Sequence, residues 1–599
     1  MAINVSFNGA TIFKPGAYSK TTIDLGGGFP LSPTGIVAIF GEAEAGTPGA
    51  SEVNIANNVF NPDQLAQIRA KYKSGPIVDA CSMLFSPGAD GAIPSGAQYV
   101  YIYKTNASTR AELDIDPSYG TVRALEWGVG GNRVSLKMTG AGSTRTITLS
   151  QKRDNLVESA TVGGNTVLTI TKASVGSNVT IDDSKIVLDD GTNTNELLKS
   201  AYNSISDLAS EIEILGWTAA ISTTVDPRLS VEVLDHVTAL SATAGAAIKK
   251  DAYEVREFFA QSQIAELIPL ATSGLPSALG ETLLSGGAVG GTSTAEITGA
   301  LSKFEKVRVN SVVPLFSRDA SDDVSDKLTD SSSSYTIEGI HQAVKTHLSL
   351  MATTKKKSER QGYLSMKDSY DNCKAQAMSL ASARLQLCIQ DTKNINSQGA
   401  IKWFQPWATA CLLAGARGGS PVGTPMTFKY LNASGIRQTG QSMSTDEQNI
   451  VIDFDPDTMY DDGIQSGITF LEAPQTGGYR VVVDNTTYGK DGNWVYNRGH
   501  VLYAADVLAY DFRNQLENIY VGMKNTVSAA EIKSTCESIL STYLGQGITV
   551  STSDAKNGFK QLIVQINGNT VNVSVTVKLV EGIDFVLADI TLQRATQTA

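Results

Sequence analysis

The chain has 599 residues, 42% apolar and 18% charged, which is a globular composition and too long for one hydrophobic core; about three to five units are expected. A net charge of −12 excludes free nucleic acid as a natural partner, because that binding needs a basic stripe to displace counterions. Fifty-four glycines and only 7% aromatics favour β-rich units with many turns.

The five cysteines, Cys81, Cys373, Cys388, Cys411 and Cys536, are odd in number and contain no CxxC pair, so they predict reduced thiols rather than a disulfide framework. The opening "MAINVSFNGA" has neither a basic nor an apolar leader segment, and no apolar run approaches the roughly 18 residues of a membrane span. A soluble, acidic protein made in a reducing cytoplasm is expected.

Residues 1–24 read as an extended arm, with Ile3, Val5 and Phe7 alternating with polar neighbours at the period of a strand. "GIVAIFGEA" (35–43) is the continuous apolar run of a strand covered on both faces. "NPDQLAQIRAKYK" predicts a helix, with Asn61 as cap, Pro62 in the first turn, and Leu65, Ile68 and Tyr72 on one face. "AQYVYIYKT" (97–105) predicts another strand, and this β–α–β order argues for an α/β layer.

Between about 116 and 190 the pattern changes to short β segments separated by Gly, Asn and Asp turns, as in an inserted β domain. Helical periodicity returns near 196–214 and 245–268, and from 295 to about 391 an α/β pattern resumes. Near the C-terminus, 498–523 predicts a helix with Val501, Ala505, Leu508, Phe512, Leu516 and Ile519 on its buried stripe and Asp506, Asp511, Arg513 and Glu517 off it. "SAAEIKSTCESILSTYLGQG" opens with a Ser528/Glu531 capping box and stops at Gly545; a hairpin about Asn567-Gly568 follows. In the last segment Ile583, Phe585 and Leu587 alternate, as do Ile590 and Leu592 with shifted register. Both chain ends are therefore strand-like, and an unblunted terminal strand is available to pair with another chain.

Chemistry-bearing motifs are scarce. His236, His341, His347 and His500 have no metal-ligand spacing and no GxSxG elbow exists, so each histidine reads as structural or surface. "GVGGNR" (128–133) and "SGGAVGGTS" (285–293) read as turn or close-packing glycines, with a phosphate cradle as the alternative. Asp453, Asp455 and Asp457 have EF-hand steps, but Thr458 and Ile464 stand where that loop needs Gly and Glu, so a solvated acidic loop is expected over a cation site. Lys355-Lys356-Lys357 reads as a solvated face or loop, with a partner contact as the alternative. No catalytic, cofactor-binding or metal residues are expected.

Several segments resemble, in order, the contractile tail sheath proteins of bacteriophages and related injection machines. "KPGAYSKTTID" resembles the family's "PGVY" start. "GADGAIPSGAQYVYIYKT" looks like its "nGG…vyvvRv" strand, with Lys104 for the usual Arg. "WGVGGNRVSLKM" is similar to "GxxGNxixv", and "LLSGGAVGGTSTAEITGALSKFEKVRVNSVVPL" resembles "L.GG.dG…yi.aL..le…vn.ivvP", with Gly290 where Asp is usual. The closing helices and "VSVTVKLVEGIDFVLADITLQ" follow the family's order. The resemblance covers roughly 1–135 and 280–599; residues about 140–275 carry little of it.

The resemblance implies a multidomain α+β protein: an α/β sheath core built from both ends of the chain, an inserted β-rich domain and extended terminal arms. The units would be an N-terminal arm (1–24), a first core part (25–115), an outward-facing β-rich insertion (116–280), the core continued (281–500), a C-terminal sheath core of helices plus hairpin (501–582) and a C-terminal arm (583–599). It implies a homo-oligomer of stacked hexameric rings in a helical sheath, with an inner tail tube and baseplate and neck or terminator proteins as partners. No cofactor, nucleic-acid contact or membrane insertion is implied. The assembly would form in the host cytoplasm, sit in the virion tail and contract on baseplate triggering to deliver the genome. By correspondence the arms are Ala2–Asp24 and Ile583–Arg594, and Ile3, Val5, Phe7, Ile12, Tyr18, Ile23, Ile583, Phe585, Leu587, Ile590 and Leu592 would form inter-subunit strands. The alternatives are a β-rich surface binding module such as an adhesin, against which the missing leader and the ordered motifs argue, and an α/β enzyme of unknown substrate.

Overall fold

The computed structural model describes residues 31–88, 90–116, 118–437, 456–522 and 527–584, and the backbone of two short strands, Val5–Phe7 and Ala10–Ile12. The apolar run at 35–43 forms the strand Ile36–Gly41 inside a seven-stranded sheet. In spatial order the strands are Ile468–Thr469, Leu385–Cys388, Gln361–Ser365, Ser311–Pro314, Ile36–Gly41, Tyr99–Lys104 and Val59–Phe60. All neighbours are parallel except the last pair.

Period-two alternation divides each strand between two cores. Val37 and Ile39 join one cluster with the helices Pro76–Phe85 and Trp407–Gly419. Ala38 and Phe40 join the other, with the helices Thr294–Phe304, Ile337–Met351 and Tyr370–Leu380. Two-sided burial is the reason the strand reads as unbroken apolar sequence. The glycines of "AGARGGS" have a packing cause: a Cβ on Gly415 would lie 2.6 Å from the Leu84 carbonyl oxygen, and one on Gly419 only 1.9 Å from that of Ser95.

Between Ser108 and Val289 the chain builds β-sheets around two further cores. One four-stranded sheet orders Ala265–Pro269, Gly120–Trp127, Ser108–Asp116 and Ala288–Val289; another orders Leu156–Val162, Arg145–Gln151, Val134–Thr139 and Leu279–Leu283. A three-stranded and a four-stranded sheet enclose the other core with the helix Ile205–Ile214.

Three sequence expectations are corrected. Residues 196–214 are not helical throughout: Thr194–Leu198 is a strand held by hairpin pairing to Lys185–Asp189, and the helix starts at Ile205, where Ser204 Oγ accepts from the Asp207 N–H. The 245–268 pattern resolves into a strand Ala246–Lys249, a helix Asp251–Gln261 and a strand Ala265–Pro269. The acidic stretch is helical from Pro456 to Ser466 rather than a loop, with Asp462 bound to Lys374 Nζ at 2.6 Å; Asp453 and Asp455 lie outside the described residues. Proline at the first helical position needs no N–H there, so a helix start was compatible with that sequence.

The five cysteines are free and buried. His341 and His347 are buried on one helix, His341 beside the Ser365 carbonyl and His347 beside Arg360, and burial pushes both imidazoles down to about 4. Lys355-Lys356-Lys357 is an exposed loop in which Lys356 and Lys357 pair with Glu305 and Glu517, each at 2.7 Å.

Candidate assembly interface

The C-terminal unit consists of the helix Gly499–Tyr520, the helix Ala529–Gly545 and a hairpin of Phe559–Asn567 with Thr570–Val577. The Ser528/Glu531 capping box forms as read: the Glu531 carboxylate accepts from the Ser528 N–H at 2.7 Å and Ser528 Oγ accepts from the Glu531 N–H at 3.2 Å. Asn567 pairs with Thr570, so the tight turn is Gly568-Asn569, with Gly568 at φ +61°. A bulge near Gln561, at φ +55°, turns Leu562, Val564 and Ile566 toward the helix pair. Leu562 packs with Ile532, Cys536, Ile539, Leu540 and Tyr543.

The other face of the hairpin carries Ile563, Gln565, Asn567, Asn572, Ser574 and Thr576; Ile563 is 52% exposed. No charged residue occurs between Lys560 and Lys578, in a chain of net charge −12. Among the described residues the hairpin pairs with no third strand. It therefore presents two long edges whose one charge is Lys560, near the start of the first strand, and long weakly charged edges are the type of surface that proteins ordinarily blunt.

Both chain ends are rooted on the long helix. Ser32 donates its N–H and its Oγ–H to Asp511 Oδ1, each at 2.6 Å, and Leu31 packs against the C-terminal core. At the other end Asp584 accepts from Arg498 Nε at 2.8 Å, one residue before that helix begins. The two roots are thirteen positions apart, about 20 Å along the axis.

Of the expected arm residues, Val5, Phe7 and Ile12 lie in strands that pair with each other, Val5 with Ile12 and Phe7 with Ala10. These two short strands pair antiparallel, whereas the sequence pattern reads as one extended arm. Ile583 is 83% exposed. Ile3, Tyr18, Ile23, Phe585, Leu587, Ile590 and Leu592 lie outside the described residues.

Sequence reasoning placed Asp506 and Asp511 off the buried stripe, yet both are buried. The helix is enclosed on more than one side, by the second helix and by the α/β body, so its polar stripe is interior as well. Asp506 accepts from Arg384 Nη2 at 2.9 Å; burial raises its carboxyl to about 6 despite the guanidinium. Arg513 Nη1 reaches Glu359 at 2.9 Å, and Arg308 stacks 3.8 Å from the Tyr510 ring centre. At the helix start, Asp484 accepts from Arg417, from the Met426 N–H and from the His500 N–H. Burial opposes its charge, but Arg417 and His500 outweigh it and hold the carboxyl far below the usual range.

A cleft of about 480 Å3 opens at the carboxyl ends of the parallel strands, walled by Glu42, Phe316, Lys367, Asp391, Trp403 and Arg437. Two of its carboxylates are engaged by neighbouring side chains. Asp391 Oδ2 lies 2.7 Å from Lys367 Nζ and 3.1 Å from Arg437 Nη1, while Glu42 Oε1 accepts from Thr292 and Thr329 at 2.7 and 2.6 Å. Among the described residues no cluster of His, Cys, Asp and Glu has the arrangement to hold a metal ion, and no helix is long and apolar enough to cross a membrane.

No family model matches the chain. It is similar along its length to the tail sheath protein of Bacillus phage SP01, 24% identical, with 98% of this chain and 97% of that protein covered. The sheath tail protein of Listeria innocua superposes with a TM-score of 0.51, 13% identity and coverage of 92% and 93% of the two chains. The corresponding protein of Desulfitobacterium hafniense gives 0.50, 12% and the same coverage. The α/β body with β-rich additions and a helix–hairpin end is thus the fold of sheath tail proteins. The sequence resemblance agrees with it: over nearly its whole length the chain is similar to a tail sheath protein.

Proposed function

We propose that this chain is the repeating subunit of a contractile tail sheath in a virion, assembled in the host cytoplasm. Stacked hexameric rings would enclose an inner tail tube and contract when the baseplate is triggered, driving the tube through the host envelope for genome delivery. Neck or terminator proteins would cap the far end. The strands between Ser108 and Val289 would form the outward-facing insertion, and the seven-stranded sheet the rigid body.

One observation carries this reading: a two-stranded, open-edged hairpin with no charge from Gln561 to Val577 stands beside the residues that root both chain ends. A two-stranded sheet is marginal alone, whereas added strands complete its ladder. Arms from adjacent subunits supply such strands, and a backbone ladder survives when the attached bodies slide. Contraction that buries a few hundred Å2 more apolar surface per subunit would yield several kcal/mol each at about 25 cal/mol per Å2.

Deleting residues 1–24 tests the reading by electron microscopy and circular dichroism. The expected product is a folded subunit that forms no tubes; tubes of normal appearance from the truncated chain would overturn it.

A further inference from the structure

We propose that Asp511 is the link that joins the N-terminal arm to the acceptor hairpin, so that tension on the arm enters the C-terminal unit directly as well as running along the chain into the α/β body. The inference rests on the arm reading above and assigns the residue that transmits the load.

The carboxylate is fully buried, and its two oxygens serve different segments. Oδ1 accepts both donors of Ser32, the arm root. Oδ2 accepts from Gln515 Nε2 at 2.5 Å on the same helix and from the Tyr543 hydroxyl at 2.7 Å on the next. Hydrogen bonds to a carboxylate are roughly twice as strong as neutral ones, and here they converge where water is excluded. Ser32 precedes Pro33, which restricts it to extended backbone and fixes the direction in which the arm leaves.

From Tyr543 the connection continues through backbone hydrogen bonds. The Ile548 N–H donates to the Tyr543 carbonyl at 3.0 Å, the Val580 N–H to the Ile548 carbonyl at 3.2 Å, and the Val550 N–H to the Lys578 carbonyl at 2.9 Å. Lys578 and Val580 directly precede the second root, Asp584 on Arg498. The body is joined separately, through Arg384–Asp506, Arg513–Glu359 and Arg308–Tyr510. A pull on the N-terminal arm therefore reaches the segment before Asp584 through hydrogen bonds of the C-terminal unit, in parallel with the covalent path from Ser32 into the strand Ile36–Gly41, while Arg498 at the second root is itself bridged to Asn485 of the body.

The test uses full-length Ser32→Ala, Asp511→Asn and Arg513→Gln chains beside the arm-deleted chain. In unpolymerised wild-type subunit the Ser32 amide should be protected from hydrogen exchange, and Asp511→Asn should speed its exchange about tenfold or more. Ser32→Ala tubes should form but come apart at lower urea than wild type, whereas Arg513→Gln, which cuts only the body joint, should leave that urea resistance unchanged. Should Asp511→Asn misfold by circular dichroism, Ser32→Ala keeps the test decisive, since it removes one hydroxyl from a half-buried segment. Ser32→Ala tubes as urea-resistant as wild type, or an unprotected Ser32 amide in wild type, overturn the proposal and leave the arm reading intact. Tubes formed by the arm-deleted chain overturn the arm reading itself.

Discussion

The seven-stranded sheet and the C-terminal hairpin treat their edges in opposite ways. The sheet ends in two strands of only two residues each, Val59–Phe60 and Ile468–Thr469, and its interior strands are buried on both faces. Among the β-rich sheets, four of the eight edge strands carry an acid, Glu158, Glu196, Glu266 or Glu281, and the uncharged ones are of two to five residues. Very short edges and edge charges are the usual protections against pairing with another chain. The C-terminal hairpin has strands of nine and eight residues, with Lys560 near one end as their one charge and none from Gln561 to Val577. The hairpin thus exposes the longest weakly charged edges among those compared, which is the feature that the proposed addition of strands from outside would use.

The largest expected effect lies on the finished side. Arg417→Ala leaves the Asp484 carboxylate buried without its guanidinium and should cost about 3–5 kcal/mol, read as a shift of the urea midpoint. A loss below 1 kcal/mol would show that the buried pair does not hold the body to the long helix.

Acid sharpens the same contrast. His341 and His347 belong to the body and stay neutral in the folded state down to about 4, while in the unfolded chain they take up protons from about 6.5 downward. The unfolded state then binds more protons, so stability is complete above about pH 6.5 and falls as pH drops toward 4, by up to about 3 kcal/mol per residue. Urea unfolding at pH 7 and pH 4.5 measures this, and a double His341→Gln/His347→Gln chain should show a flatter dependence. Equal slopes in the two chains would remove the histidines as the cause.

Ser574→Lys addresses the unfinished side and has the smallest effect on the subunit. The position is an exposed strand site, so thermal stability should change by less than about 0.5 kcal/mol, yet a charge on the bare hairpin should suppress tube formation seen by electron microscopy. Normal tubes from this variant would break the comparison between the two regions.

Local signals in the chain determined much of the architecture. The apolar run at 35–43, the Ser528/Glu531 box and the stop at Gly545 depend on periodicity and capping within a few residues and stand where they were read, while the hairpin turn read about Asn567-Gly568 lies one residue later, at Gly568-Asn569. The ordered motifs likewise carried the resemblance to sheath proteins, because backbone turns and packing glycines constrain residues wherever the fold recurs.

Only the tertiary structure decided what the polar residues of the long helix do. An amphipathic pattern assumes one buried face, so it assigned Asp506 and Asp511 to solvent; the helix is packed on several sides, and Asp511 instead meets Ser32, far away in sequence, and Tyr543 from the next helix. The 196–198 strand was hidden for the same reason, since its conformation comes from a partner strand rather than from its own period. Interactions that join distant segments leave no spacing rule in one sequence, and the rooting of both chain ends on a single helix is of that kind.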